Sequence, residues 1–420
     1  MDYKEINGCE NKKNPNEKKS NLKRIGIGIL IVVLTNFITF TIALRMPLKG
    51  TVRISESKYD EISKFSKMFI VKQNIEMFYD GKIDENKLID GAIKGIANSV
   101  NDPYTVYMDK DEYKEFSTYT EGDYVGLGIR VGVKDNKIVI IAPFEDSPAK
   151  KAGIISGDII EKVDGKQVLG KDLDKAISMM KGEKNTYVVL TINRQNTEKI
   201  DIKVKRDVIP LITVSGEMLD DKIGYIQIST FAENTGSQFQ EEVNRLNKKG
   251  MTGLILDLRQ NPGGWLTQSI EITSKFVEKG KTIVSTIDKN KNKEEFKSKG
   301  GELIGIPLVV LIDGGTASAS EIFSGAIRDY ELGTLVGEKT FGKGIVQSVL
   351  DKKRFGFGDG TALKVTTSKY YTPNGENIHH KGIKPNIEVK YPKDLLKKTY
   401  SRETDPQFKK ALEIMKEKMK

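Results

Sequence analysis

Two short stretches of this sequence carry side chains that could take part in chemistry. The first, GEKTFGKG at Gly337 to Gly344, fits the phosphate-binding pattern G-x-x-x-x-G-K, but Gly344 stands where the pattern needs a Ser or Thr for magnesium. The second, GGTASASEI, carries Ser318 shortly after the apolar run PLVVLI. Lys343 could therefore bind a phosphate, or it could serve Ser318 as a base.

The residues after Lys343 argue against a phosphate site. A phosphate loop runs from a strand into a helix, whose N-terminal N–H groups hold the anion. TLVGE can supply the strand, but GIVQSVLDKKRFGFG is β-branched and rich in Gly, which favours an extended segment over a helix. The sequence therefore predicts that Lys343 serves a different chemistry.

Ser318 has two interpretations. A strand that runs into a Gly turn and then a helix presents a side chain at the carboxyl edge of a sheet, and the helix start favours negative charge there. As a nucleophile, Ser318 would have the N–H of Ala319 beside it to stabilise an oxyanion. However, Ser318-x-x-Glu321 is also a capping box, and most serines in that pattern only cap a helix.

Two further features support catalysis. Gly263-Gly264 in LDLRQNPGGW could bring a second N–H close to a bound carbonyl, although an ordinary Gly-rich turn reads the same way. Lys343 and Gln347 lie four apart in the extended run, and even spacing on a strand would place both on one face. The Gln amide could then orient the Lys amine.

Lysine is the base that this chain offers to Ser318. The pattern G-x-S-x-G is absent, and the two His residues, His379 and His380, are adjacent in the polar segment HHKGIKP, which disfavours a Ser–His triad and a His-based zinc site. A Lys can act as a base when burial lowers its pKa. The sequence therefore predicts a Ser318–Lys343 pair.

The same blocks resemble the carboxyl-terminal processing (tail-specific) peptidases, serine proteases with a Ser–Lys dyad supported by Gln. Similar to family blocks, and in family order, are NDPYTVYM, GLGI, DSPAKKAGIISGDIIEKVDG, LDLRQNPGG, GGTASASEIFSGAIRD, GEKTFGKGIVQ, YYTPNG and DPQFKKAL. GTASASEI with FGKGIVQ at this spacing is the specific signal. The resemblance implies Ser318 as nucleophile, Lys343 as general base and Gln347 as the Lys-orienting residue. It also implies an oxyanion site built from Ala319 and either Gly263 or Gly264.

The resemblance further implies a peptide-binding domain. GLGI, which is Gly126, Leu127, Gly128 and Ile129, looks like the loop of a PDZ domain, whose N–H groups suit a terminal carboxylate while the peptide adds as a strand. NDPYTVYM, residues 101–108, looks like the family's helical segment ahead of that domain. In the family, the PDZ domain gates access to the protease site, and the resemblance suggests a homodimer formed through the terminal helical segments.

The patterns around these residues predict the elements that hold them. Residues 55–119 carry apolar side chains at three- and four-residue spacing, which predicts helices. Short strand-like runs such as KIVIIAPF and TYVVLTINR predict a small β-rich domain. From Ile209 onward, apolar runs alternate with helix-forming stretches, which predicts an α/β core around a buried sheet.

A membrane segment is predicted near the N-terminus. Ile25 to Leu44 is an uncharged apolar run of the ~20 residues needed to cross a bilayer as a helix. Lys and Arg residues precede it and favour the cytoplasmic side, so the chain after Leu44 is expected outside the cytoplasm, away from the ATP that a phosphate loop would use. A cleaved signal peptide is the alternative, but the run is long for one and no clear A-x-A follows.

Composition restricts the remaining possibilities. The net charge of +10 could indicate nucleic-acid binding, but Lys residues interleave with Glu and Asp, so no basic face and no nucleic-acid partner are predicted. Cys9 is the single Cys, which excludes a disulfide within the chain and thiolate metal sites. No metal or organic cofactor is implied.

Together these patterns predict a multidomain α+β protein. Its six parts are a cytoplasmic tail (1–24), a transmembrane anchor (25–44), a helical segment (45–120), a PDZ domain (121–207), an α/β protease core (208–395) and a C-terminal helix (396–420). By resemblance, the core is of the ClpP/crotonase type. The predicted function is a membrane-anchored serine endopeptidase that acts on proteins or peptides with accessible carboxyl termini. The alternative is a catalytically inactive PDZ scaffold at the membrane surface.

Overall fold

The computed structural model describes residues 15–45, 52, 54–194, 199–352, 357–395 and 400–420. Residues 1–14 of the predicted tail, which include Cys9, lie outside these ranges. The chain divides into two compact units, Met1–Leu88 and Ile89–Lys420.

The described part of the first unit is mostly helical. They are α1 (Pro15–Arg45), α2 (Glu56–Ser63), α3 (Ser66–Phe78) and the beginning of α4 (Glu85–Asn98). Within α1, Leu22–Ala43 is long and apolar enough to cross a membrane by length and composition. Residues 15–24, which the sequence assigned to the tail, continue into this apolar helix without a break.

The segment NDPYTVYM is not helical, which corrects the prediction. Asp102 closes a turn by accepting the N–H of Tyr104 at 3.1 Å and the hydroxyl of Thr105 at 2.7 Å. A proline at the next position disfavours a helical conformation for the residue before it. Val106–Met108 (β1) then pairs antiparallel with a strand near residue 364, before α5 (Lys110–Glu121) begins.

A small antiparallel domain follows α5. A ribbon of β2 (Asp123–Gly126) and β9 (Asp207–Pro210) joins its two ends. Between them lies a six-stranded sheet made of β3 (Ile129–Lys134), β4 (Lys137–Pro143), β5 (Ile159–Val163), β6 (Lys166–Gln167), β7 (Tyr187–Asn193) and β8 (Lys199–Lys205), with helices α6 (Pro148–Lys151) and α7 (Leu173–Met180). Alternate residues of β7, Val188, Leu190 and Ile192, are fully buried, as expected when one face of a strand packs on a core.

The largest core surrounds a second sheet that is buried on both faces. In spatial order its strands are β10 (Val214–Met218), β11 (Ile223–Ile228), β12 (Gly253–Asp257), β15 (Leu308–Ile312), β16 (Thr334–Gly337) and β19 (Ile387–Glu388). All pairs from β11 onward are parallel. This arrangement explains the continuous apolar runs in the sequence, because strands buried on both faces need no polar alternation.

Helices cover the two faces of this parallel sheet. One face packs against α8 (Thr235–Lys248), α9 (Leu266–Ser274) and α10 (Ala319–Asp329), and the other against α11 (Pro406–Lys418). Arg259, just after β12, ties these parts together, since its guanidinium pairs with Asp257 and with Asp405 at the start of α11, both at 2.7 Å. It also donates to Gln407 at 3.0 Å.

A third sheet stands beside the parallel one. It contains β1, β13 (Thr282–Asp288), β14 (Lys293–Lys297), β17 (Ile345–Leu350) and β18 (Ala362–Tyr371). β18 is its central strand and pairs with β1, β13 and β17. The segment around Lys343 links the two sheets, because β16 ends at Gly337 and β17 begins at Ile345.

Candidate active site

Three loops meet at the carboxyl ends of β12, β15 and β16, which is where ligands bind in open α/β sheets. These loops carry Gly264, Ser318 and Lys343, respectively, and all three residues line one cleft of about 530 Å³. Gln347 of β17 lines the same cleft. Residues that are far apart in the sequence and that the sequence assigned to one site therefore lie together.

Ser318 occupies a strained position at the start of α10. Its φ of 55° and ψ of −116° are rare for a residue other than Gly, and such strain persists only where the surroundings hold it. Its side chain forms no cap hydrogen bond, and the N–H of Glu321 donates instead to the Ser318 carbonyl at 2.8 Å. Within the described ranges, the Ser318 hydroxyl is left available to a substrate.

The structure distinguishes the two glycines of the predicted oxyanion site. The N–H of Gly263 donates to the side chain of Asn261 at 2.9 Å, and Gly263 does not line the cleft. The N–H groups of Gly264 and Ala319 donate to no acceptor in the part of the chain that the structure describes, and both residues line the cleft. Of the residues predicted to form the oxyanion site, Gly264 and Ala319 are thus the ones whose N–H groups a bound carbonyl could meet.

Gly263 has a different role, which is to let the turn after β12 lie close to the start of α10. Its φ is 100°, and a Cβ added there would lie 2.7 Å from the Ser318 Cβ and 2.8 Å from the Ala319 nitrogen. Only a residue without a side chain fits between this turn and the start of α10.

Lys343 lies in the loop before β17 and is half-buried. Its Nζ is 4.7 Å from the centre of the Tyr104 ring. Burial lowers the pKa of Lys343 below the usual lysine value, and the ammonium group of Lys364 lowers it further, against the opposing charges of Asp102 and Glu321. The amine forms no hydrogen bond with Ser318 or Gln347 in this structure, as is common in sites without substrate.

Gln347 reaches the cleft for a different reason from the one predicted. Lys343 precedes β17, and the pairing of β17 with β18 shifts register between Val346 and Gln347. The even-spacing argument therefore does not apply, because it assumed one regular strand. The Nε2 of Gln347 is buried and has no hydrogen-bond partner among the described residues, so the amide can bind a group that enters the cleft.

Glu321 organises the site, a role that the sequence treated as ordinary helix capping. Its fully buried carboxylate accepts four hydrogen bonds, from the N–H groups of Ser318, Gly342 and Lys343 at 2.8 Å each and from the Thr340 hydroxyl at 2.6 Å. Burial raises the pKa of Glu321, and these hydrogen bonds oppose the rise. One side chain thereby fixes both the Ser318 turn and the Lys343 loop.

Two other neighbours of Lys343, Tyr104 and Lys364, were missed. Tyr104 belongs to the NDPYTVYM segment, which was interpreted as a helical segment ahead of the PDZ domain, yet its ring faces the Lys343 amine. Lys364 of β18 lines the cleft and was not singled out at all. His379 does not line the cleft, although its backbone packs against Gly344, where an added Cβ would lie 2.5 Å from the His379 nitrogen.

The GLGI loop, Gly126 to Ile129, lies in the small antiparallel domain and does not line the Ser318 cleft. The carbonyl of Leu127 accepts the N–H of Ala149 in α6 at 2.9 Å, and that of Gly128 accepts the N–H of Phe144, just after β4, at 2.8 Å. Among the described residues, the N–H groups of Leu127 and Gly128 themselves have no acceptor. Ile129 begins β3, whose outer edge pairs with no other described strand. Free N–H groups beside an open strand edge can hold a terminal carboxylate and an added strand.

Comparison with known families identifies three regions. Residues 222–389 match the model of peptidase family S41. Residues 139–194 match a PDZ domain, and residues 42–112 match the N-terminal domain of the activating protease CtpB. Among the described residues, no cluster of His, Cys, Asp or Glu could hold a metal ion.

Individual relatives agree with these matches. The carboxy-terminal processing protease CtpA of Bacillus subtilis is 40% identical over 376 residues, which is 89% of this chain and 78% of the relative. CtpB of the same organism is 40% identical over 318 residues, 75% of this chain and 65% of the relative. Among solved structures, the photosystem II D1 C-terminal processing protease is 26% identical, with a TM-score of 0.43, over 77% of this chain and 86% of that one.

Proposed function

Because the chain belongs to peptidase family S41 and is a serine peptidase of the carboxy-terminal processing type with a PDZ domain, we propose that Ser318 is its nucleophile and Lys343 its general base. The observation that carries this proposal is the strained Ser318 at a helix start, in one cleft with a half-buried Lys that has no carboxylate partner among the described residues. A neutral amine is the form that can accept a proton.

The reaction would proceed in two stages. The Lys343 amine takes the proton of the Ser318 hydroxyl as Oγ attacks the substrate carbonyl, and the N–H groups of Gly264 and Ala319 receive the oxyanion. The Lys343 ammonium then gives its proton to the leaving amine, and water hydrolyses the acyl-enzyme with Lys343 again as base. Before the first step, the amine must turn from the Tyr104 ring towards Ser318, with Gln347 orienting it.

Substrate selection is assigned to the PDZ domain. We propose that Gly126, Leu127, Gly128 and Ile129 hold the carboxyl terminus of a protein or peptide, supported by the free N–H groups and the open edge of β3. An upstream bond of the same substrate would then enter the Ser318 cleft.

The remaining proposals concern architecture and place. We also propose that the chain has the six parts predicted from its sequence, with a core of the ClpP/crotonase type. The apolar span Leu22–Ala43, preceded by Lys and Arg residues, supports a single-pass anchor with the N-terminus in the cytoplasm and the protease outside. Exposed apolar side chains along α3, such as Phe69, Ile70 and Met77, support a homodimer formed through terminal helices.

Hydrolysis of an unstructured protein by the detergent-solubilised full chain tests the dyad. We expect Ser318→Ala and Lys343→Ala to abolish hydrolysis, and Lys339→Ala, an exposed lysine of the same loop, to retain it. Hydrolysis that survives in either of the first two variants would overturn the dyad. No hydrolysis by the wild type under any condition would favour the inactive scaffold.

A further inference from the structure

The Ser318 cleft contains a second lysine. Lys364 of β18 lines the same cleft as Lys343, and both are half-buried. In the part of the chain that the structure describes, neither ammonium group pairs with a carboxylate, although most other buried or half-buried cations there, such as Arg259 and Arg328, do. Two unpaired like charges in one cleft are costly to keep, which suggests that the second one has a use.

The surroundings of Lys364 hold its side chain in this position. On β18, Lys364 lies opposite Val106 of β1 on one side and Val349 of β17 on the other. Its Nζ is 5.2 Å from the centre of the Phe116 ring of α5. On the same helix, Tyr113 donates to Asp351 at 2.9 Å, so that carboxylate already has a partner. An ammonium group packed among apolar side chains acts over a longer range than one in water.

The other charges that face Lys343 act in the opposite sense. Asp102, from the turn before β1, and Glu321, from α10, both favour the ammonium form of Lys343, and the Tyr104 ring also attracts a cation. Among the charged groups of the described residues, Lys364 is the one that disfavours the ammonium form, and it acts in the same sense as burial. Without it, burial alone would oppose the two carboxylates, and the ammonium form, which cannot accept a proton, would be more stable than it is beside Lys364.

We propose that Lys364 is a positioning residue for the reaction, whose positive charge in the cleft keeps the Lys343 amine free of its extra proton and thus available to Ser318. This inference rests on the proposed Ser318–Lys343 dyad. It assigns the residue an electrostatic role, distinct from contact with the substrate and from support of the sheet.

The pH dependence of kcat/KM separates these roles. The rate should rise with pH as Lys343 loses its proton, and replacing Lys364 with a neutral residue should raise the pH at which this happens. The part of the profile over which kcat/KM rises with pH is its rising limb. We expect Lys364→Met to move this limb to higher pH by roughly half to one unit. The value of kcat/KM should then fall roughly three- to tenfold at pH values below the limb and equal that of the wild type above it. Lys364→Arg keeps the charge and should keep the limb in place. Lys369→Met, an exposed lysine of the same strand, is the matched control.

The measurement uses the full chain in detergent with a fluorescence-quenched unstructured protein, and thermal unfolding checks each variant. If Lys364→Met does not fold, Lys364→Gln replaces it as the neutral variant. An unmoved limb overturns the proposal, and so does an equal loss at every pH, which a substrate contact or a structural role would give. Ser318→Ala and Lys343→Ala distinguish the two failures: if they remain active, the dyad itself is wrong, whereas if they are inactive and the limb does not move, only the role of Lys364 is wrong.

Discussion

Glu321→Gln offers a direct test of how the site is held together. The substitution keeps the shape of the side chain but replaces one carboxylate oxygen with an NH₂ group and removes the charge. Oε2 accepts from the N–H groups of Ser318 and Lys343, and Oε1 from the N–H of Gly342 and the hydroxyl of Thr340. Whichever way the amide turns, at least one backbone N–H will face another donor.

The size of the expected loss in kcat and stability follows from the number of hydrogen bonds that the amide cannot make. The less costly orientation directs the NH₂ group at Thr340, whose hydroxyl can accept, and leaves the N–H of Gly342 unsatisfied. An unsatisfied buried donor costs about 1–3 kcal/mol, and if the loss appears in the transition state kcat falls roughly 5- to 150-fold. The free energy of unfolding should fall by a similar amount, because the same hydrogen bonds join α10 to the Lys343 loop.

For Glu321→Gln we also expect a shift of the pH profile in a definite direction. The Glu321 carboxylate raises the pKa of Lys343, so the neutral amide should lower that pKa. The rising limb of kcat/KM should therefore move to lower pH while its plateau falls, which is the reverse of the shift expected for Lys364→Met. Glu331→Gln, an exposed glutamate just after α10, is the control. A variant with wild-type kcat, stability and limb would refute the role given to Glu321.

Two further predictions concern the glycine turn and the membrane. Gly263→Ala and Gly280→Ala both force alanine to a positive φ, 100° and 89°, but a Cβ meets the Ser318 turn only at Gly263 and open space at Gly280. Both should lower the melting temperature, whereas only Gly263→Ala should lower kcat, and equal kcat losses would contradict the close-approach argument. For topology, a membrane-impermeant maleimide should not label Cys9 in intact cells, whereas it should label Ser237→Cys in a Cys9→Ser background; labelling of Cys9 would reverse the proposed orientation.

The strand–turn–helix units that carry the site were predictable because their signals are local. The apolar run before Ser318, the glycines after β12 and the helix pattern of α10 each appear within about ten residues, and the parallel order of the strands then brings their ends together. Ser318 at the start of α10 follows from that reasoning alone.

What the sequence did not predict depends on contacts between distant segments. Tyr104 reaches Lys343 because β1 pairs with β18, although more than half of the sequence separates the two strands. Nothing in NDPYTVYM predicts a partner strand near residue 364. Lys364 looks like any other lysine of an alternating strand, since its significance comes from which cleft it faces. Glu321 was visible in the sequence, but a capping box describes only the contact with its own helix and not the three donors from the Lys343 loop.

The contacts of Arg259 with Asp405 and Gln407 have a consequence for the order in which parts of the enzyme fold during synthesis. The turn that holds Gly264 follows Arg259 directly, yet its anchor comes from residues nearly 150 positions later. A ribosome delivers those residues long after β12, and domains complete their packing only when their distant partners are present. During most of its synthesis, the nascent chain would carry the Gly264 turn without this anchor, so we expect the protease to gain its full activity only after α11 has docked.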